Sequence, residues 1–154
     1  MSQMWKTTTP ESAGAAVRFL VRDMVGDVNR KVASKGTRAV NILRNAELQV
    51  LKGQRSGKVY RKPHSKASYT ASAPGEAPAR RTGNLRLHWN GEATGQNNVS
   101  GGVTVTASLE SQEEYAALLE HGTKHGTHYT APRPFVNRII EKAAPEIEKL
   151  FKDL

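Results

Sequence analysis

Between Gln54 and Gly83 the chain reads QRSGKVYRKPHSKASYTASAPGEAPARRTG, Gly, Ser, Ala, Pro and basic residues without apolar periodicity. A structureless loop that long is uncommon inside a small domain; where it occurs it is functional, or it orders on a partner. The stretch therefore divides the sequence. Residues 9–53 and 84–154 must supply the packed faces, and 54–83 reads as a long flexible basic arm between them. At 154 residues the chain fits one domain holding all three parts.

Residues 9–53 read as helix. Thr9 is placed to N-cap, with Pro10 at the first helical position and Glu11 on the favourable end of the dipole. Val17, Leu20, Val21, Met24, Val28 and Val32 recur at three- and four-residue spacing, and Ala39, Leu43, Ala46 and Val50 extend the stripe to a C-cap at Gly53. The ASKG stretch at 33–36 is either a break or a tolerated weak point.

Past the arm, NLRLHW alternates Leu85, Leu87 and Trp89 with Arg86 and His88, which predicts a strand. NGEATGQNN reads as a turn-rich connection, and the β-branched VTVTAS at 103–108 as a second, antiparallel strand. Ser111 and Glu114 have capping-box spacing for a short helix that Gly122 stops, with Tyr115, Leu118 and Leu119 facing the core. A last helix spans about Pro134 to Phe151. Its apolar face is Val136, Ile139, Ile140, Ala143, Ile147 and Leu150, and Pro145 should kink it. The expected fold is α+β: a long N-terminal helix, a small antiparallel sheet, a short helix and a C-terminal helix.

Composition narrows the function. There is no cysteine, which excludes thiolate catalysis and cysteine-ligated zinc. No apolar run approaches the ~18 residues that span a bilayer, and the first residues lack the apolar region of a secretory signal, so no membrane role is expected. The net charge of +9 is uneven. Residues 1–88 carry 17 Lys/Arg against 5 Asp/Glu; residues 89–154 carry 6 against 9. Such asymmetry suits an acidic partner, or the basic half of one copy docking on the acidic half of the next.

LLEHGTKHGTHY, at 118–129, brings His121, His125 and His128 together, with Glu120 beside them as a possible fourth metal ligand. Gly122 and Gly126 spoil a helix, and on a strand His128 would face away from the other two, so neither regular structure gathers all three. They read as turn histidines at a helix end. No serine sits in a strained nucleophile turn, and no Gly-rich loop carries a Lys-Ser/Thr pair. Glu113 and Glu114 suit a solvated helix start. No metal, cofactor or catalytic residue is expected. The basic arm is the stronger candidate: Arg55, Lys58, Arg61, Lys62, Lys66, Arg80 and Arg81 surround Tyr60 and Tyr69, a mixture that can contact phosphates and stack on bases. No DNA- or RNA-binding motif accompanies it, and an arm that orders on assembly explains it as well.

Three stretches then occur in a telling order: YRKPHSKASYTASAPGEAPARRTGNLR, YAALLEHGT and APRPFVNRIIEKAAPEI. Together they resemble the neck, or tail-completion, family of long-tailed bacteriophages, small proteins also described as head–tail joining or minor tail components. The resemblance covers residues 60–148; LRLHW departs from it, where the family more often carries a smaller polar residue. It implies a non-enzymatic virion protein that assembles in the host cytoplasm as a homo-oligomeric ring. The implied partners are a head-closure protein and a tail-terminator or tail-tube protein, with DNA passing unread through the lumen. The alternative is a non-enzymatic nucleic-acid-binding protein using the same arm. Ring contacts join unlike surfaces of successive copies. The expected partner or oligomer interface comprises Arg55, Arg61, Lys62, Tyr69, Arg80, Arg81, Tyr115, Glu120 and Phe135.

Overall fold

The computed structural model describes residues 5–8, 16–23, 28–97 and 103–152. Its first half holds β1 (Trp5–Thr8), β2 (Ala16–Asp23), α1 (Val28–Val50), β3 (Val59–Arg61) and β4 (Ser68–Thr70). The second holds α2 (Asn84–Leu87), β5 (Trp89–Asn97), β6 (Val103–Ser111), α3 (Ala116–His121), β7 (Thr123–His125), β8 (His128–Thr130) and α4 (Val136–Lys152). Among the described residues these form three antiparallel sheets: a four-stranded one in the order β1-β2-β6-β5, and the two-stranded ribbons β3–β4 and β7–β8.

β6 organises the large sheet. Val105, Ala107, Leu109 and Ser111 alternate into the core, while Thr104, Thr106, Ser108 and Glu110 lie half-buried on the other face. α1 packs across β5, β6 and β2, and α4 lies beside α1 and also reaches β2, so both long helices share one layer. α4 buries Val136, Ile139, Ala143 and Ile147 at helical spacing. Pro145 occupies an exposed position on α4, where water can serve the carbonyl that its ring leaves without a donor. Phe135, fully buried just before α4, meets Trp89 edge to face at 6.1 Å.

The expected architecture does not hold: four helices and three sheets replace a single small sheet between N- and C-terminal helices. Residues 16–23 are a strand, and the long helix starts only at Val28. AVRFLVRD satisfies strand alternation as well as helical spacing. Its β-branched and aromatic residues pair with β6, setting Val17, Phe19 and Val21 opposite Leu109, Ala107 and Val105. The cap expected at Thr9, Pro10 and Glu11, and Met24 of the stripe, lie outside the described residues.

Other boundaries move too. α1 ends at Val50 rather than Gly53. Asn84–Leu87 is a helical turn, not a strand: Gly83 adopts φ 97°, and its carbonyl accepts from the Arg86 and Leu87 amides at 3.1 and 3.0 Å. NGEATGQN, expected as a connection, is edge strand β5. Ser111 belongs to β6, its hydroxyl accepting from the Glu113 amide at 3.2 Å, so it caps a turn and not α3. Ala116 is the buried residue of α3, while Tyr115 and Leu118 are 39% and 56% exposed. The 54–83 arm carries the β3–β4 ribbon instead of being structureless.

β5 presents Gly91, Ala93 and Gly95 at alternate positions, opposite Leu109, Ala107 and Val105. Gly91 and Ala93 let α1 come close, whereas a Cβ at Gly95 would meet nothing within 4 Å. A Cβ added at Gly91 would stand 2.5 Å from Val40 Cγ1, and one at Gly36 would be under 3.0 Å from Val105 Cγ1. Helix α1 runs unbroken through Gly36, so the sequence is not broken there, and the glycine is tolerated where helix meets sheet. Alanine is favoured over glycine inside an exposed helix by ~1 kcal/mol. Overpacking at this contact opposes that gain by about 1–3 kcal/mol. Gly36→Ala should lower the thermal midpoint of the purified chain by several degrees, whereas an exposed, uncrowded Gly36 would give a raised midpoint.

Candidate functional site: the arm and an arginine-lined cavity

Local hydrogen bonds account for the arm's order. In the ribbon, Tyr60 lies opposite Tyr69 with ring centroids 6.0 Å apart. Its tip closes through the Lys62 amide donating to the Ala67 carbonyl at 2.9 Å, and His64 takes φ 55°, a backbone region that L side chains rarely adopt. Arg61 Nε donates to the Ser65 carbonyl at 3.1 Å. At the base, Glu76 is the only acidic residue between Gln54 and Gly83. Its carboxylate accepts from the Ser56 amide at 3.1 Å, the Ser56 hydroxyl at 2.5 Å and the Ala73 amide at 2.9 Å. These donors, the Ser56 hydroxyl foremost, hold its carboxyl down at about 2.

Two arginines tie the arm to the core. Arg55 donates to the carbonyls of Val50 at 2.9 Å and Pro78 at 3.2 Å, so it covers the C-terminal end of α1 while gripping the returning chain. Arg138 of α4 donates to the Gly75 carbonyl at 2.6 Å, and the Gly75 amide donates to Pro132 at 3.2 Å.

Where the arm returns, it walls a cavity of about 570 Å³ against α2, α3 and the segment before α4. Arg80, Arg81, Arg86 and Arg133 line it together with Tyr69 and Tyr115, and none of its lining residues is acidic. Leu51, Leu85 and Leu119 supply apolar surface. Arg86 is anchored by its Nε, which donates to the Leu48 carbonyl at 3.1 Å. Arg133 Nη1 is sealed from solvent and has no hydrogen-bond partner among the described residues. Burial and the neighbouring Glu113 carboxylate push the Tyr115 hydroxyl above its ordinary range.

Beside this wall, in α1, lies Glu47, fully buried. Its Oε2 accepts from Arg44, whose guanidinium also donates to the carbonyls of Arg86 at 3.0 Å and Leu87 at 3.2 Å. Burial raises the Glu47 carboxyl to about 7 against the opposing pull of Arg44 and Arg86, and its Oε1 has no partner among the described residues. A folded value above the ordinary one makes this group's contribution largest below pH 4.5 and lost as pH rises through about 7.

The interface residues anticipated from sequence separate into groups. Arg80, Arg81, Tyr69 and Tyr115 converge on the cavity. Arg61 and Lys62 sit together at the ribbon tip. Arg55 is engaged inside the chain, as described above. Glu120 Oε2 accepts from the Phe135 and Val136 amides at 2.7 and 3.2 Å, so it caps α4. Phe135 is in the core and fully covered. Arg86 and Arg133 had not been singled out; their clustering depends on the arm's path, and only the ARRTGNLR basic run hinted at it.

The three histidines do not converge. Gly122, at φ 73°, ends α3, and a Cβ there would meet the Thr130 carbonyl oxygen at 2.5 Å. His121 closes α3, while His125 and His128 face each other across β7–β8. Among the described residues no group of three or more His, Asp or Glu side chains is placed to hold a metal ion, and no helix is long and apolar enough to cross a membrane. No protein-family model, curated protein or solved structure matches the chain.

The depressed Glu76 carboxyl fixes a sign. Its stabilisation of the arm is complete above pH 4.5 and is lost as pH falls through about 2. Expressed as protection factors, which remove the intrinsic slowing of exchange toward acid, hydrogen exchange at the Gly57 and Ala71 amides should accelerate over that window. Glu76→Ala should give the fast rates at every pH while leaving α1 protected; unchanged rates in the variant would show that the arm is ordered by something else.

Proposed function

We propose that this chain is a structural protein of a tailed-phage virion: a neck subunit that forms a homo-oligomeric ring joining the DNA-filled head to the tail. In this reading it performs no chemistry. It contacts a head-closure protein on one side and a tail-terminator or tail-tube protein on the other, and DNA passes through the lumen without sequence recognition. The residue pattern at 60–148 motivates the reading, and one observation carries it. The fold leaves binding capacity unmet on a single copy. The arm ends in a cavity with four guanidiniums and no carboxylate. Val59, Tyr60, Leu87, Leu118 and Tyr129 are 49–68% exposed, large apolar surface that a neighbouring subunit would cover.

A second reading has its own support. Lys58, Arg61 and Lys66 are exposed on or beside the β3–β4 ribbon with the Tyr60–Tyr69 pair, which suits phosphate contact. Salt separates the two. Phosphate binding by the isolated chain would fall steeply with ionic strength, whereas a ring subunit binds its partner ring whatever the DNA sequence or strand type.

The test is charge reversal on the cavity wall. Arg80 and Arg81 are exposed and make no ion pair among the described residues, so Arg80→Glu/Arg81→Glu should keep the circular-dichroism spectrum and thermal midpoint. Incorporation into particles, read by quantitative immunoblot of purified virions, should drop at least tenfold. Normal incorporation would contradict the reading.

A further inference from the structure

We propose that the arginine-lined cavity is a socket for a glutamate-bearing segment of the next copy of this chain, taken from its residues 89–154. The proposal rests on the ring reading above and gives one of the ring's contacts its chemistry.

The cavity itself calls for an anion. Four arginines are among its lining residues and no acidic residue is. Arg133 is among the lining residues, and its Nη1 has no hydrogen-bond partner among the described residues, so that nitrogen is not committed to an acceptor elsewhere in them. Arg86 is already oriented by Leu48, so little ordering is left to be done on binding. Arginine, with its planar fork of donors, matches a carboxylate through two parallel hydrogen bonds.

The shape argues for a peptide over a nucleic-acid strand. A strand needs a track that meets successive phosphates. This is a bounded cavity lined by Leu51, Leu85 and Leu119 as well as by the arginines. Leucine surface beside guanidiniums suits a carboxylate flanked by apolar side chains. The lysines of the ribbon, Lys58, Lys62 and Lys66, are not among the lining residues.

Charge complementarity selects a second copy. Glu92, Glu114, Glu141, Glu146 and Glu148 are exposed, and none has an ion-pair partner among the described residues. All belong to the segment with 9 acidic against 6 basic residues. Among the described residues, the chain thus carries arginines without ion pairs around the cavity and glutamates without ion pairs elsewhere. A head-to-tail contact between unlike surfaces, repeated around a closed ring, pairs the two sets.

The test uses the full chain and two variants, Arg133→Met and Arg81→Glu/Arg133→Met. Because Arg133 Nη1 has no acceptor among the described residues, Arg133→Met should leave the thermal midpoint of the dilute chain unchanged or raise it. In sedimentation at low salt, wild type should associate in a concentration-dependent way. The single variant should need at least tenfold, and the double variant at least a hundredfold, higher concentration. A copy with a broken socket still presents its glutamates to an intact one, so adding the double variant to wild type should shorten the assemblies. The proposal is overturned by a wild type that stays monomeric at every concentration, by variants that associate normally, or by wild-type assemblies indifferent to the added variant. Loss of binding to a 30-base-pair duplex with self-association intact would assign the cavity to nucleic acid and equally sink it. The ring reading fails separately, on whether the chain is found in the neck of particles at all.

Discussion

The closeness of α1 to the sheet is the constraint on which the rest of this structure depends. Gly36 lies against Val105, and Gly91 leaves room for Val40, so the helix crosses β5 and β6 at a separation that side chains at either glycine would forbid. With α1 there, Val32, Ala39 and Leu43 are fully covered, and α4 packs into the same layer with Ile139, Ala143 and Ile147. That crossing also places the C-terminal end of α1, where Arg55 holds the arm and Leu51 lies on the cavity wall.

Polar groups then connect core to surface in sequence. Glu47 is buried in α1 and engages Arg44, which holds the α2 backbone at Arg86 and Leu87. A buried ion pair of this kind adds little net stability against an apolar alternative. Its effect here is positional, because it fixes the turn that carries Arg86 into the cavity. Glu76 does the corresponding work at the base of the arm, with hydrogen bonds to exposed backbone and a hydroxyl. The arm's order thus combines these local bonds with ties to the core, through Arg55 on Val50, Arg138 on Gly75 and the buried Ala77.

How much of this could be read from residues alone varies by element. The Val136, Ile139, Ala143 and Ile147 spacing has one period only, and it is the face that α4 buries. Gly122 marks the end of α3 because a side chain there would strike the Thr130 carbonyl. By contrast AVRFLVRD fits two periods, and pairing with β6, far away in sequence, decides between them. NGEATGQN is rich in turn formers, yet Gly91 and Ala93 are small where α1 lies over them, at Val40 and Gly36. In the arm, polar contacts at Glu76, Arg55 and Arg138 supply order that apolar periodicity usually signals. The cavity was half legible: ARRTG was visible as a basic run, but Arg133 joins it only through the fold. Glu120 and Phe135, chosen for a partner surface, serve the start of α4 and the core.

A two-layer core, a tethered arm and, among the described residues, charge of both signs without ion pairs underlie the proposal that this chain holds copies of itself and its neighbours in register. The most direct measurement is electron microscopy of particles produced without this chain. The account predicts filled heads and finished tails lying apart, restored to joined particles when the chain is supplied. Joined, infectious particles in its absence would contradict it.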